Sequence, residues 1–202
     1  MAEETHINRD EDEKLVNLCK KGDMDAFEAL VRKHQKRVFN VAYRMVGSYD
    51  EASDIAQEAF IAVYRGIKKF EGRAKFSTWV YTITINTAKN RLSQLKARRA
   101  REPASIEDPI RTAGGEIHAE PRSKEPSALD MLETREFEER VKECIDALDT
   151  DFREVIVLRD MQGLTYGEIC EVLGVPQGTV KSRLFRARDS LKECLKKVMG
   201  NS

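Results

Sequence analysis

Helical periodicity is the feature that most restricts the fold of this chain. From Asp12 to Arg101 large apolar residues recur at intervals of three and four, and no proline interrupts the run. That spacing lines apolar side chains along one face of successive α-helices, whereas a β-strand needs an alternation of two. Breaks at Gly22-Asp23, Gly47-Ser48 and Glu71-Gly72 divide the run into about four helices, and no strand is indicated.

Residues that commonly cap helix N-termini follow these breaks. Asp23 is placed to cap the second helix, and the third is predicted to begin near Asp50. Ser77 and Thr78 are the candidates to cap the fourth helix. Residues 1–11 are acidic and are expected to fray.

A change of composition divides the chain in two. Between Pro103 and Pro126 lie two further prolines, the Gly114-Gly115 pair and very few large apolar residues. This composition favours turns and extended chain, so residues 102–128 are predicted to form a flexible linker. Helical spacing resumes at Leu129. The predicted fold is therefore all-α, with a helical bundle over residues 12–101 and a smaller helical domain over residues 129–199.

Charge is unevenly distributed although the formal net charge is zero. Lys89 to Arg101 contains six basic residues and no acidic one, and Lys181 to Lys197 is mostly basic. Two separated basic patches indicate two contacts with a polyanion such as nucleic acid.

The cysteines and the hydropathy bear on the compartment. Cys19, Cys144, Cys170 and Cys194 lie far apart without a CxxC pair, which favours reduced thiols and no structural zinc. No segment approaches the roughly 20 consecutive apolar residues of a membrane span, and the acidic start does not have the pattern of a signal peptide. We therefore expect a soluble, cytoplasmic protein without membrane insertion.

A short helix, a tight turn and a longer basic helix form a candidate helix-turn-helix over about residues 166–185. The turn is Gly174-Val175-Pro176, and the second helix is predicted to enter the major groove of DNA. One side of that helix carries a narrow apolar stripe for packing, formed by Val180, Leu184, Ala187 and Leu191.

The opposite side of the second helix suits a major groove. Arginine can form two hydrogen bonds with guanine, an aromatic ring can press on thymine methyl groups, and hydroxyls and lysine can hold phosphates. Phe185 has no place in the packing stripe, which favours this interpretation over an ordinary solvated face. The predicted DNA-contacting residues are Thr179, Lys181, Ser182, Arg183, Phe185, Arg186 and Arg188.

Two blocks of sequence resemble a known family. Asp54 to Phe60, Tyr64-Arg65 and Phe70 to Tyr81 resemble region 2 of the extracytoplasmic-function sigma factors, sigma-E-like members of the sigma-70 superfamily. Gly178 to Arg188 resembles their region 4. The resemblance implies an alternative sigma factor that binds core RNA polymerase and directs promoter-specific transcription initiation. It is thus expected to be no enzyme, with no catalytic residue, cofactor or metal.

The resemblance also assigns roles to residues. In the family, an acidic ledge on the third helix docks on the coiled coil of the polymerase β′ subunit, and the fourth helix with the loop before it captures a flipped base of the minus-10 element. Region 4 binds the minus-35 element as duplex. The core-binding residues would be Asp54, Gln57, Glu58, Phe60 and Arg65, and the minus-10 residues Trp79, Asn86, Lys89, Asn90 and Arg91.

Simpler interpretations of these residues remain open. The amides of Asn86 and Asn90 can bond the edge of an unstacked base, but they could instead form a satisfied, partly buried pair. A single Trp on a helix, such as Trp79, usually belongs to the core. The helix from about Thr78 to Arg101 has apolar residues on two sides, and a four-helix domain cannot bury both without help.

The resemblance implies three partners, which are core polymerase through its β′ and β subunits, promoter DNA and a cognate anti-sigma factor. A helix-turn-helix regulator that needs no polymerase is an alternative, but it leaves the region from Asp54 to Trp79 without a purpose. An enzyme acting on nucleic acid would need a catalytic motif, and the histidines stand alone in the sequence. A purely structural scaffold does not explain Arg186 beside an exposed Phe185.

Overall fold

The computed structural model describes the backbone of residues 2–101, 137 and 139–199, and the regular elements in these ranges are helical. The predicted all-α class is therefore confirmed, while the predicted linker, residues 102–128, lies outside the described residues. The helices are α1 (Ala2–Lys20), α2 (Met24–Val46), α3 (Tyr49–Gly66), α4 (Phe76–Arg101), α5 (139–146), α6 (Thr150–Ile156), α7 (Tyr166–Leu173) and α8 (Gln177–Met199). A 3₁₀ turn follows α3, and a π-helical segment, Val157–Met161, continues α6.

The first unit consists of α1 to α4, and its helix starts follow the predicted caps except at α4. Asp23 Oδ1 accepts a hydrogen bond from Ala26 N at 3.0 Å, as predicted. Helix α4 begins at Phe76, so Ser77 and Thr78 lie inside the helix and the prediction that they cap it is wrong. Trp79 N already donates to the carbonyl of Lys75 at 3.1 Å, and this bond closes a first turn that contains both residues.

The N-terminal stretch also differs from its prediction. The backbone is helical from Ala2, although residues 1–11 were expected to fray. Glutamate favours helical backbone, and acidic residues near a helix N-terminus interact favourably with the helix dipole. At the end of this stretch Glu11 Oε2 lies 2.9 Å from Lys33 Nζ, which ties α1 to α2.

The core of the first unit is built on one face of α3, where Ile55, Ala59 and Val63 recur at intervals of four. Ile55, Ala59 and Val63 are completely buried. The last two pack with Leu30 of α2 and Val80 of α4 in one apolar cluster, so the first four helices share a core.

The second unit, α5 to α8, contains the predicted helix-turn-helix. Thr165 and Glu168 form a reciprocal capping box at the start of α7, and Gly174 ends that helix in the left-handed conformation at φ 66°. Val180, Leu184 and Ala187 of α8 are buried, as their spacing predicts. Helix α8 is thereby fixed on one side and exposed on the other.

The two units pack against each other along α4. Tyr81, Ile85 and Ala88, on the second apolar side of α4, belong to the same cluster as Leu164 and Ile169 beside and within α7. The help that α4 needs to bury both of its apolar sides therefore comes from the C-terminal helices.

A disulfide joins α5 to α8. The Sγ atoms of Cys144 and Cys194 are bonded, across a sequence separation of 50 residues, and the two Cα atoms are 5.8 Å apart. The prediction that all four cysteines are reduced is wrong for this pair, because only the packing of α5 beside α8 brings the two together. Cys19 and Cys170 are free thiols. No helix in the described ranges combines the length and apolarity that crossing a membrane requires.

Candidate nucleic-acid and polymerase interfaces

The outer face of α8 is open. Phe185 is 75% exposed, and Arg186 beside it is also exposed. Thr179, Ser182 and Arg186 border one shallow surface depression. Lys181 Nζ lies 5.8 Å from the centre of the Tyr166 ring and is exposed. The structure thus brings five of the predicted DNA-contacting residues to one accessible face.

Two predicted DNA-contacting arginines are instead held by carboxylates. Arg183 Nη1 donates to Glu154 Oε1 at 3.0 Å, and its Nη2 donates to Asp151. Arg188 forms a bidentate pair with Asp160 at 3.1 and 2.5 Å, and this hydrogen bonding raises the pKa of Arg188. Each of these arginines therefore already has two of its donor nitrogens bonded to carboxylates.

The polar side of α4 carries the amide pair. Asn86 and Asn90 are both exposed, which rules out the buried-pair alternative for them. Their neighbours are less free, because Lys89 Nζ donates to Glu154 Oε2 at 3.0 Å and Arg91 pairs with Glu51 at 3.1 Å and Glu58 at 2.8 Å. The amides therefore project from a surface whose cations already have partners.

Trp79 belongs to an aromatic cluster at the start of α4. Its ring stacks on Phe70 with centroids 4.7 Å apart and meets Phe76 edge-on at 6.0 Å. A Cβ at Gly66 would lie only 3.1 Å from the indole, so a glycine allows α3 to approach the ring this closely. Trp79 is half-buried, and it holds the loop between Phe70 and Phe76 against the bundle.

The predicted acidic ledge lies on the solvent side of α3. Asp54, Gln57, Glu58 and Arg65 are all exposed, and Glu58 also bonds Arg91 across to α4. Phe60 is half-buried and packs against the apolar cluster of the first unit. The charged residues of the ledge are therefore accessible, and the ring of Phe60 anchors the ledge to the core.

Comparison with known proteins decides the family. The Sigma-70 region 2 model matches residues 30–99, and the Sigma-70, region 4 model matches residues 138–191. The chain is 36% identical over 193 residues to the RNA polymerase sigma-H factor of Pseudomonas aeruginosa, with 96% of this chain and 98% of that protein covered. It is 39% identical over 184 residues to the ECF RNA polymerase sigma-E factor of Escherichia coli K12, covering 89% and 92%. The chain belongs to the extracytoplasmic-function sigma-factor family.

A solved structure shares the fold of this sigma factor. The sigma factor RpoE of Bartonella quintana, determined in complex with the anti-sigma factor NepR, superposes with a TM-score of 0.60 at 24% identity and covers 84% of this chain and 96% of that one. In the described part of this sigma factor, no group of three or more histidine, cysteine, aspartate or glutamate side chains could hold a metal ion.

Sequence reasoning missed two features of this sigma factor. Ile61 and Tyr64 are exposed beside the ledge, and the Tyr64 ring lies 5.1 Å from that of Phe27. The exposure of Ile61 and Tyr64 could have been predicted from the sequence, because both residues lie off the buried stripe of α3. Glu154 was also missed, although it contacts two of the predicted site residues, and nothing in its local sequence announces that role.

Proposed function

We propose that this chain is an alternative sigma factor that binds core RNA polymerase and directs initiation at specific promoters. The observation that carries the proposal is the exposed pair Phe185 and Arg186 on a helix locked into its own core, in a chain whose residues 30–99 match sigma region 2. A regulator acting without polymerase is not favoured, because it has no use for that region. The chain would act in the cytoplasm as a subunit without catalysis of its own.

We propose that the two units bind different forms of DNA, the first an opened strand and the second a duplex. The first unit, residues 12–101, would dock on the β′ and β subunits through the ledge at Asp54, Gln57 and Arg65. It would bind the opened minus-10 strand with the exposed amides of Asn86 and Asn90, which suit an unstacked base edge. The second unit, residues 129–199, would read the minus-35 duplex with Arg186 and Phe185. The segment 102–128 would connect them.

A cognate anti-sigma factor is the third proposed partner. The support is family membership together with the fold shared with a sigma factor solved in such a complex. Ile61 and Tyr64 are exposed and form an apolar margin beside the ledge. A protein partner would therefore bind through apolar contacts as well as through charge.

Run-off transcription tests the proposal directly. Core polymerase is supplied with fragmented genomic template, with and without the purified chain, and the start sites are mapped. We expect discrete new transcripts that share two short upstream elements. Transcripts identical in the presence and absence of the chain would refute the proposed function. A double variant Phe185→Ala, Arg186→Ala serves as the matched control, since both side chains lie outside the core.

A further inference from the structure

One buried carboxylate connects the two helical units. Glu154 lies on α6, and its side chain is 1% exposed. Its Oε2 accepts a hydrogen bond from Lys89 Nζ of α4 at 3.0 Å, and its Oε1 accepts one from Arg183 Nη1 of α8 at 3.0 Å. Burial raises the pKa of Glu154, against the opposing effects of Lys89 and Arg183.

The contact to Lys89 is part of a longer seam between the units. Lys75 Nζ donates to Glu168 Oε1 at 2.8 Å, and Tyr81 Oη donates to Gln162 Oε1 at 3.4 Å. The guanidinium of Arg153 donates to the carbonyl of Met45 at 2.5 Å. Among these contacts, the Glu154 pair alone uses residues that sequence reasoning had assigned to both promoter elements.

This arrangement cannot coexist with binding to both elements of one promoter. Lys89 and Arg183 bond to the two oxygens of a single carboxylate, so their charged groups are separated by little more than its width. Elements centred near minus 10 and minus 35 are about 25 base pairs apart, or about 85 Å of duplex at 3.4 Å per base pair. The described arrangement is thus a closed one.

We propose that Glu154 is an electrostatic latch that holds the two DNA-binding surfaces together and occupies one cation on each. This inference rests on the proposed function. A carboxylate uses the same donors of lysine and arginine that a phosphate would use, so DNA and Glu154 compete for them. Opening of the seam releases Lys89 to the minus-10 strand and lets water reach the carboxylate.

A latch differs from an ordinary structural ion pair because one of its bonds must break when the units separate. The bonds of Glu154 to Arg183 and to Lys89 differ in this respect. Arg183 and Glu154 both belong to the second unit, and their bond would persist after opening. Lys89 comes from the first unit, so only its bond must break. Asp151 offers a matched control, because it is an exposed partner of Arg183 and has no contact with Lys89 among the contacts described above.

The experiment measures the distance between the units in the full-length chain without DNA or polymerase. Spin labels are attached through unnatural amino acids at Lys36 of α2 and Ser190 of α8, which are both exposed, and pulsed electron paramagnetic resonance gives the distance distribution. For Lys89→Met we expect the ratio of long to short distances to rise about tenfold, the change typical of losing a hydrogen bond to a charged group. Asp151→Asn should leave the distribution unchanged.

Glu154→Gln provides a second route to the same contact. It should shift the distribution in the same direction, and the double variant with Lys89→Met should add little, because both changes remove one interaction. A distribution for Lys89→Met that matches the parent chain would overturn the latch. The proposed function is tested separately by run-off transcription. A chain that keeps the latch but directs no transcription would contradict the proposed function alone, and a chain that directs transcription without a latch would contradict the latch alone.

Discussion

His34 Nε2 lies 3.0 Å from Asp12 Oδ2, and both side chains are buried where α1 packs on α2. Lys33 Nζ approaches the other carboxylate oxygen of Asp12 at 3.0 Å. Burial alone would raise the pKa of Asp12, but the hydrogen bonds and charges of His34 and Lys33 outweigh it and lower that pKa below its usual value. The first helix is thus fastened to the second by an ionised carboxylate.

The Asp12 contacts predict a pH-dependent loss of stability. Because the folded-state pKa is lowered, the ionised carboxylate stabilises the fold above its usual pKa near 3.8, and the contribution is lost as the pH falls through the folded value. Asp12→Asn should lower the free energy of unfolding at pH 7 by about 1.5–3 kcal/mol. Urea unfolding should show this difference narrowing below about pH 4. Glu28→Gln, which removes an exposed pair with Arg32, is the control and should change little.

The open face of α8 predicts separable effects on promoter use and on stability. Arg186→Ala should weaken binding to a cognate promoter by about 1–3 kcal/mol, the value of a bidentate base contact. Its thermal midpoint should stay close to that of the parent chain, because the side chain is exposed. Run-off transcription on matched and mutated promoters gives the first quantity, and Lys192→Ala further along α8 is the control. Unaltered promoter selectivity would count against the assignment of Arg186.

The ledge on α3 predicts a defect in assembly with core polymerase. Asp54 is exposed and has no hydrogen bond or ion pair in the described part of the chain, so Asp54→Lys should reverse a charge without disturbing the fold. We expect weaker binding to fluorescent core polymerase, with a difference that diminishes as salt increases. Lys36→Glu on α2 controls for charge reversal as such. Glu58→Lys is a poorer test, because it also breaks the contact with Arg91.

The disulfide predicts a stability that depends on reductant. In the chain-entropy description, a crosslink across 50 residues stabilises the fold by up to about 4 kcal/mol. A dithiol reductant should therefore lower the denaturant midpoint of the parent chain but not that of Cys194→Ser. Cys170→Ser, which removes a free thiol, should keep the response to reductant. A parent chain indifferent to reductant would show that the crosslink contributes nothing.

Two glycines of the helix-turn-helix predict opposite responses to the same substitution. Gly174 has φ 66°, where an alanine is strained by about 1–2 kcal/mol, although a Cβ would meet no neighbour there. Gly167 lies inside α7 with open space around it, and alanine there should stabilise by about 0.5–1 kcal/mol. Chemical unfolding of the two variants measures both signs. Equal shifts would mean that the left-handed turn is not retained.

The sequence was informative wherever a local pattern decides the structure. The cap at Asp23, the buried stripe of Ile55, Ala59 and Val63, and the exposure of Phe185 all follow from spacing along one helix. The two apolar sides of α4 also announced that another element must cover it. These features need no knowledge of distant residues.

Long-range pairing was beyond the reach of sequence reasoning. The partners of Arg183, Arg188 and Lys89 are acidic residues 28 to 65 positions away, and a surface cation does not reveal which carboxylate it will meet. Cys144 and Cys194 are likewise 50 residues apart, and no spacing motif predicts their disulfide. Each of these contacts appears only after the helices are packed.

Because α4 is apolar on two sides, separation of the two units exposes one of those sides to water. When α7 leaves α4, Tyr81, Ile85 and Leu92 lose the neighbours that keep water from them. A contiguous apolar strip of this kind favours self-association in water. The parted form is therefore expected to be short-lived on its own, and arrival on a larger protein surface and parting of the units should occur together rather than one long before the other.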